Sequence, residues 1–494
     1  MSALARAALS VTVVGGGPAG LLYAAVAKRR HPRHEIVVYE RNAPDATFGF
    51  GVVFSERTLD ELRDVEPRTH AAIEASSVAW QDIEVRHRGT VLRCGGHGFF
   101  AISRRRLLSI LQERAADAGV ELRFRREATP DALDGDLVLA ADGANSRLRE
   151  AGAAAFGPSV ATGAARYIWF ATTKRFDALT FLFAEDEHGH WGVHAYPFED
   201  GASTFIVECD EATWRRAELD TPEARALGPG ESDERSRSFC ERLFAEHLEG
   251  EPLLENNSRW LSFRTVRNAR WHDGRTALLG DAAHTAHFSV GSGTKMAMED
   301  AVGLADAIGE AETVASALQR YESGRRPKVE YIQRAAVPSQ AWWERFALVA
   351  GRPPAQFAFH FLTRSPPVTR ARLRARDPRF VRVIDRWFAG AHGDGDVAAG
   401  PLAMPVEVAG LHCPSRVVAA APPAGTSRAV RLAALGGAAL FGAGVVLAGC
   451  RAGEGVGAAA WREAIAWVHE RTGAPVGLRL AAGEGAAAAA AGFD

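Results

Sequence analysis

Cysteine is scarce in this chain, and its five copies (Cys94, Cys209, Cys240, Cys413 and Cys450) form no C-x-x-C pair and no metal-ligand spacing. That excludes a disulfide scaffold and gives no reason to expect a metal, so they read as reduced, structural thiols. An excess of one charge is missing too. The 58 Lys and Arg against 60 Asp and Glu leave a net charge of −2, which gives no general reason for nucleic-acid or membrane partners. The first strand begins by about residue 8, with no room for a signal peptide, and a cytoplasmic protein is expected. Long apolar runs are rare. The uncharged stretch from Leu432 to Cys450 reaches the length of a membrane span, but eleven of its nineteen residues are Gly or Ala, and no membrane helix is expected there.

What the chain does contain is three short segments far apart. Val11 to Gly20 reads VTVVGGGPAG, a strand running into Gly15-x-Gly17-x-x-Gly20 with Pro18 and Ala19 opening a helix; Glu40, followed by Arg41, closes the next strand twenty residues later. Glycines let the backbone turn tightly and approach a pyrophosphate at a helix N-terminus, and the acid takes a ribose hydroxyl. Asp142-Gly143 follows the apolar strand from Asp136 to Ala141, and Gly280-Asp281 follows that from Thr276 to Leu279. Either alone is an ordinary strand-end turn; each also sits at the strand end where open α/β sheets bind ligands.

Together, in this order, the three segments resemble the flavoprotein aromatic hydroxylases, the group of para-hydroxybenzoate hydroxylase. The resemblance implies an α/β fold: a Rossmann-like FAD-binding domain with an inserted, mainly β substrate domain, a helical C-terminal segment and an incomplete barrel-like tail. It implies that Gly15, Gly17, Gly20 and Glu40 hold the adenosine half of FAD and that Arg104, in SRRRLLSIL, contacts its pyrophosphate. Asp142 would serve pyrophosphate and a passing nicotinamide nucleotide, Asp281 the ribityl or pyrophosphate region. Gly291 and Gly293, before Thr294, would line the isoalloxazine with backbone N–H groups. NADPH or NADH would be the transient reductant; these hydroxylases lack a separate nicotinamide domain, so no motif tells the two apart.

Domains are expected at 8–155 and 271–390 for the two parts of the FAD-binding domain, 156–270 for the substrate sheet and 401–494 for the tail. The middle stretch is rich in β-branched and aromatic residues, with strand-like runs at Ala165 to Thr173, Thr180 to Ala184, Gly192 to Tyr196 and Ser203 to Glu208. RYIWFATTKRFD from Arg166, STFIVE from Ser203, HFSVGSGTKMAMEDA from His287 and FGFGVVFSERTL from Phe48 resemble the branch with salicylyl-CoA 5-hydroxylase, 2-aminobenzoyl-CoA monooxygenase and the violacein-forming hydroxylases. Two prolines usually follow G-D-A-A-H in the wider group; here His287-Phe288-Ser289 stands there. From Pro401 the chain is similar to the opening of an old-yellow-enzyme barrel but ends far short of the roughly 250 residues such a barrel takes. It reads as a decayed remnant expected to hold no FMN.

The resemblance implies hydroxylation of an electron-rich aromatic ring with NAD(P)H and O2 through a flavin C4a-hydroperoxide. The substrate would be an aryl-CoA or carrier-protein thioester, or alternatively a free aromatic or indolic molecule. No nucleophilic triad is needed and none is evident. A base accepting the proton of a ring OH or NH2 would help; candidates are His194 and Tyr196, which a sheet would equally present on an amphipathic face, and His287 beside the flavin loop. His284 reads as a structural helix-start residue, and Glu208 points either into the pocket or out to solvent. The run Arg370, Arg372, Arg374, Arg376, Arg379, Arg382 and Arg386 would supply cations for CoA phosphates, or is a solvated face. A monomer or a homodimer fits the chain. A flavin oxidoreductase without oxygen insertion, and a partner protein with a vestigial site, are the other classes; intact glycines and acids oppose the second.

Overall fold

The glycine fingerprint leaves the central strand of a five-stranded parallel sheet. The computed structural model describes residues 3–130, 133–228 and 230–392, with five short strands between 406 and 479. Across the sheet the order is Thr276–Leu278, Leu137–Ala140, Ser10–Val14, Glu35–Glu40 and Glu121–Phe124, every pair parallel. Val11, Val13 and Leu137 to Ala140 are almost wholly enclosed, so these strands are apolar throughout instead of alternating, as in sheets covered on both faces. Helices Pro18–Arg30, Arg104–Asp117 and Gly293–Glu310 do the covering. Strands 276–278, 137–140 and 10–14 lie side by side and parallel, so the three motifs emerge together at the C-terminal end of the sheet.

A seven-stranded sheet follows, ordered Leu253–Leu254, Ala165–Thr172, Ala202–Asp210, Gly189–Glu199, Leu179–Asp186, Ile83–His87 and Thr90–Cys94. The four strands expected from the sequence are present, three of them longer than expected and that from Ala165 ending at Thr172. The last two come from residues 83–94, before the expected boundary at 156, and join through a parallel pairing of Leu179–Asp186 with Ile83–His87. One face buries Ile168, Phe170, Trp191, Val193, Phe205 and Val207 with Trp214, Cys240 and Phe244. The alternate residues Tyr167, His194, Ile206 and Glu208 therefore point the other way. That second face is roofed by the long helix Val314–Trp343 and helix Pro354–Leu362, whose Trp343, Phe357 and Phe361 rings meet Phe181 and Phe183 of the sheet. A small sheet of Gly51–Ser55, Phe99–Ser103 and Val78–Trp80 completes this part.

Residues from Pro378 on form a second compact unit. It contains the helix Pro378–His392, an antiparallel pair Val406–Val408 and Leu411–Cys413, and three parallel strands Val418–Ala420, Val445–Gly449 and Val476–Arg479. Val445–Gly449 is thus a strand at the end of the uncharged run; the remainder of that run, and most of the expected barrel remnant, lie outside the described residues. Among the described residues no helix is long and apolar enough to cross a membrane.

Candidate active site

The three motifs interlock atom by atom. A Cβ on Gly15, at φ +111°, would lie 2.2 Å from the Ala141 carbonyl oxygen, and one on Gly20 would lie 2.2 Å from that of Gly15. A Cβ on Gly280 would meet Ala19 and Ala297 at 3.2 and 3.1 Å. At Gly15 and Gly20 glycine is required because backbones touch, and at Gly280 a φ of +56° favours it. Gly17 differs: at φ −82° it caps helix Pro18–Arg30 without a side-chain hydrogen bond, and a Cβ there would meet nothing within 4 Å. The same openness holds at Gly143, Gly291 and Gly293. Gly293 and half-buried Thr294 open the 18-residue helix Gly293–Glu310, again with no side-chain cap. Two helix N-termini without side-chain caps, beside glycines with room for a methyl, are the arrangement that receives anionic groups.

The acids around this cleft are held in specific states. Glu40 Oε2 accepts the Gly16 N–H, and Oε1 accepts both the N–H and the Nδ2–H of Asn42, all at 2.8 Å; Oε2 retains acceptor capacity for a hydroxyl. Arg41 beside it is exposed. Asp142 accepts the Arg147 N–H at 2.9 Å through Oδ2, while its buried Oδ1 has no hydrogen-bond partner among the described residues; burial pushes its carboxyl up. Asp281 is accessible yet deep in the concavity, and desolvation raises its carboxyl against the opposing pull of Arg104. The Arg104 guanidinium, pushed down by burial, has Asp281 as its strongest favourable charge. An orphaned carboxylate oxygen, open glycines and free helix ends fit a dinucleotide with a pyrophosphate and ribose hydroxyls.

Behind the cleft, His284 Nε2 lies 2.7 Å from Asp300 Oδ2 and Arg325 Nε donates to Asp300 Oδ1 at 2.9 Å. Gly280 N–H also reaches Asp300 Oδ2, at 3.2 Å. His284 therefore braces the Gly280–Asp281 turn from beneath, a structural part as its place in the motif suggests.

The three expected base candidates separate. Tyr196 donates its hydroxyl to the Gly51 carbonyl at 3.0 Å and packs with Trp80 and Phe198 where the small sheet meets the large one; burial pushes its phenol up to about 12. His194 and His287 instead converge on Glu208. His194 Nε2 is 3.1 Å from Glu208 Oε2 and His287 Nε2 is 3.7 Å from Oε1. All three are buried, Glu208 completely, which settles the direction the sequence left open: it points inward. Burial drives the Glu208 carboxyl well up, the His194 imidazole well down and that of His287 down to about 3.

Sequence reasoning missed the groups that complete this cluster. His287 Nδ1 meets Ser289 Oγ at 2.8 Å, which meets Ser339 Oγ at 2.8 Å, which accepts from Arg364 Nε at 3.0 Å. Arg364 also donates to the Ser289 and Phe361 carbonyls and lies 4.0 Å from the Phe361 ring centre. No local pattern marks it: it follows an aromatic helix and reaches the site only through the fold. Tyr167, opposite Glu208 in the ladder, was visible only as part of an aromatic strand. Phe288 stands among Tyr167, Trp169, His194 and Phe263 at ring distances of 4.9 to 6.4 Å, so the cluster borders an aromatic wall.

Comparison with known proteins agrees with this architecture. The FAD binding domain family profile matches residues 8–336. Salicyloyl-CoA 5-hydroxylase of Streptomyces sp is 50% identical over 415 residues, 83% of this chain and 79% of that protein. The 3-hydroxy-4-methyl-anthranilyl-[aryl-carrier protein] 5-monooxygenase of Streptosporangium sibiricum is 39% identical over 338 residues, 68% of this chain and 90% of that one. Among solved structures, the tetrameric form of 2-methyl-3-hydroxypyridine-5-carboxylic acid oxygenase superposes with a TM-score of 0.55 at 19% identity, over 72% of this chain and 98% of that one, which shows a shared fold. By the family profile and the identity to these relatives, the chain belongs to the FAD-binding family of aromatic hydroxylases and is an FAD-dependent aromatic monooxygenase.

Proposed function

We propose that this monooxygenase hydroxylates an electron-rich aromatic ring presented as a CoA or carrier-protein thioester, with NADH or NADPH as reductant and O2 as oxygen source. The observation that carries the reading is the pairing of an open dinucleotide cleft with a half-buried aromatic wall at Tyr167, Trp169 and Phe288. Two relatives narrow the substrate, since one is named for a CoA thioester and the other for an aryl-carrier protein.

Bound FAD supplies the redox chemistry and the activation of O2; the protein supplies position, dryness and proton handling. In this reading Gly15, Gly17 and Gly20, with Pro18 and Ala19, seat the pyrophosphate, and Glu40 with Arg41 the adenosine ribose. Arg104, Asp142, Gly143, Gly280 and Asp281 hold the remaining phosphate and ribityl groups, and Gly291, Gly293 and Thr294 the ring system. The aromatic wall orients the substrate ring and keeps water from it. Exposed Arg372, Arg374 and Arg376 provide cations for the phosphates of a CoA or phosphopantetheine arm.

Anaerobic flavin reduction by NADH and by NADPH, with and without aryl-CoA thioesters and their free acids, tests this. Faster bleaching with salicyloyl-CoA but not salicylate, followed by hydroxylated product under O2, is the expected result. Acceleration by free acids or indoles alone would replace the thioester with a small aromatic substrate. Failure of both nucleotides to reduce the flavin would remove NAD(P)H from the scheme.

A further inference from the structure

Glu208 lies in an unusual enclosure. Its side chain is fully buried, and among the described residues its ion-pair contacts are two imidazoles, with no lysine or arginine in range. A carboxylate shut away from water without a contacting cation is held at high cost unless a proton is shared with it. His287 bonds Ser289 through Nδ1, while its Nε2 stands 3.7 Å from Glu208 Oε1, which has no hydrogen-bond partner among the described residues. His194 faces Glu208 through Nε2, while its Nδ1 makes no hydrogen bond to a described residue. The ring of His194 is set between Trp343, at 4.1 Å, and Phe288, at 5.3 Å.

We propose that Glu208, His194 and His287 act as one proton-accepting unit for the ring hydroxyl or amino group of the aromatic substrate, with His194 Nδ1 as its open end and Glu208 as the place where the proton comes to rest. This rests on the thioester hydroxylase reading above. As oxygen adds to the ring, the substituent O–H or N–H bond breaks and an N–H bond forms at His194 Nδ1. The His194 Nε2–H bond breaks in turn, and an O–H bond forms at Glu208 Oε2. The imidazole ends neutral in its other tautomer, the carboxylate becomes a carboxylic acid, and no electrons are exchanged within the unit. His194 contacts the ring substituent; Glu208 and His287 act through it as positioning residues.

The surroundings suit this transfer. The groups facing Glu208 are His194 on the neighbouring strand, Tyr167 across the ladder, His287 on the loop, Glu344 at the end of the long helix and Arg364 after helix Pro354–Leu362. Burial and Glu344 make Glu208 a stronger base than an ordinary carboxylate, and Arg364 limits that rise. Burial, Arg364 and His287 all disfavour a charged His194, so it passes the proton on and does not keep it.

Glu208→Gln in the FAD-loaded enzyme tests the unit, because the amide keeps size and hydrogen bonding but cannot take a proton at rest. With salicyloyl-CoA, kcat is expected to fall roughly a hundredfold, KM and FAD content to stay as in wild type, and the acid limb of the kcat–pH profile to vanish. His194→Gln should reproduce the kcat loss, and serves as the test if Glu208→Gln does not fold. Unchanged kcat and pH profile in the folded variants overturn the proposal. Infrared spectra of ligand-free holoenzyme give a readout independent of turnover. A protonated-carboxyl band, shifted in D2O and lost in Glu208→Gln, should appear as pH falls below the working range and be absent at working pH; a band that persists at working pH leaves Glu208 unable to accept a proton and overturns the proposal even if hydroxylation is observed. If the band titrates in this way and no thioester is hydroxylated, the substrate assignment fails instead.

Discussion

At the scale of single residues, the fingerprint glycines are not equivalent, and this gives a direct test of where the dinucleotide lies. Gly20→Ala forces a methyl into the Gly15 carbonyl at 2.2 Å, so it is expected to lower Tm sharply and give little folded protein. Gly17→Ala adds a methyl to open space at an ordinary φ and should leave the Tm of FAD-free protein within a degree or two, on the order of surface-substitution effects. If the pyrophosphate sits on that helix end, the same methyl intrudes on the ligand and weakens FAD binding about tenfold, or ~1.4 kcal/mol. Titration of FAD into both variants measures this; unchanged FAD affinity in Gly17→Ala would move the pyrophosphate elsewhere.

At the scale of elements, the buried group of His284, Asp300 and Arg325 joins three parts distant in sequence: the Gly280 turn and the helices Gly293–Glu310 and Val314–Trp343. Burial alone would raise the Asp300 carboxyl, but His284 and Arg325 outweigh it and hold it below the usual range. A carboxyl lowered by folding stabilises the protein above its unfolded value, and the contribution disappears as pH falls through the folded one. Asp300→Asn leaves Arg325 with less compensation and should cost about 3 kcal/mol near neutral pH; urea unfolding should show the gap to wild type closing in acid. A constant gap across that range would assign the cost to packing. These elements also show what could be read in advance. The three motif strands were legible because each is a local run ended by glycines, with an acid beside the glycine in the second and third. The pairing of residues 83–94 with the large sheet was not, because parallel pairing across nearly a hundred residues leaves no local trace. Glu208 stayed ambiguous because its strand is buried on both faces from Ala202 to Cys209, so alternation distinguishes the faces but does not say which meets the site.

At the scale of the whole molecule, the chemistry is concentrated in the residues up to 377. The three motifs, the aromatic wall and the Glu208 cluster all fall there, and the FAD binding domain profile ends at 336. The Streptosporangium sibiricum relative aligns over 90% of its own length with only 68% of this chain. The described strands after 400 are an antiparallel pair and three parallel strands, a parallel set of the sort that crossover connections produce. A chain stopped after residue 400 is therefore expected to bind one FAD and to retain substrate-stimulated flavin reduction within about twofold of the full chain, a difference below ~0.5 kcal/mol. Stopped-flow reduction of the two proteins with the same thioester measures it. A large loss of stimulation with FAD content intact would give the tail a part in substrate delivery, and the carrier-protein form of the substrate would then be the one to test against CoA.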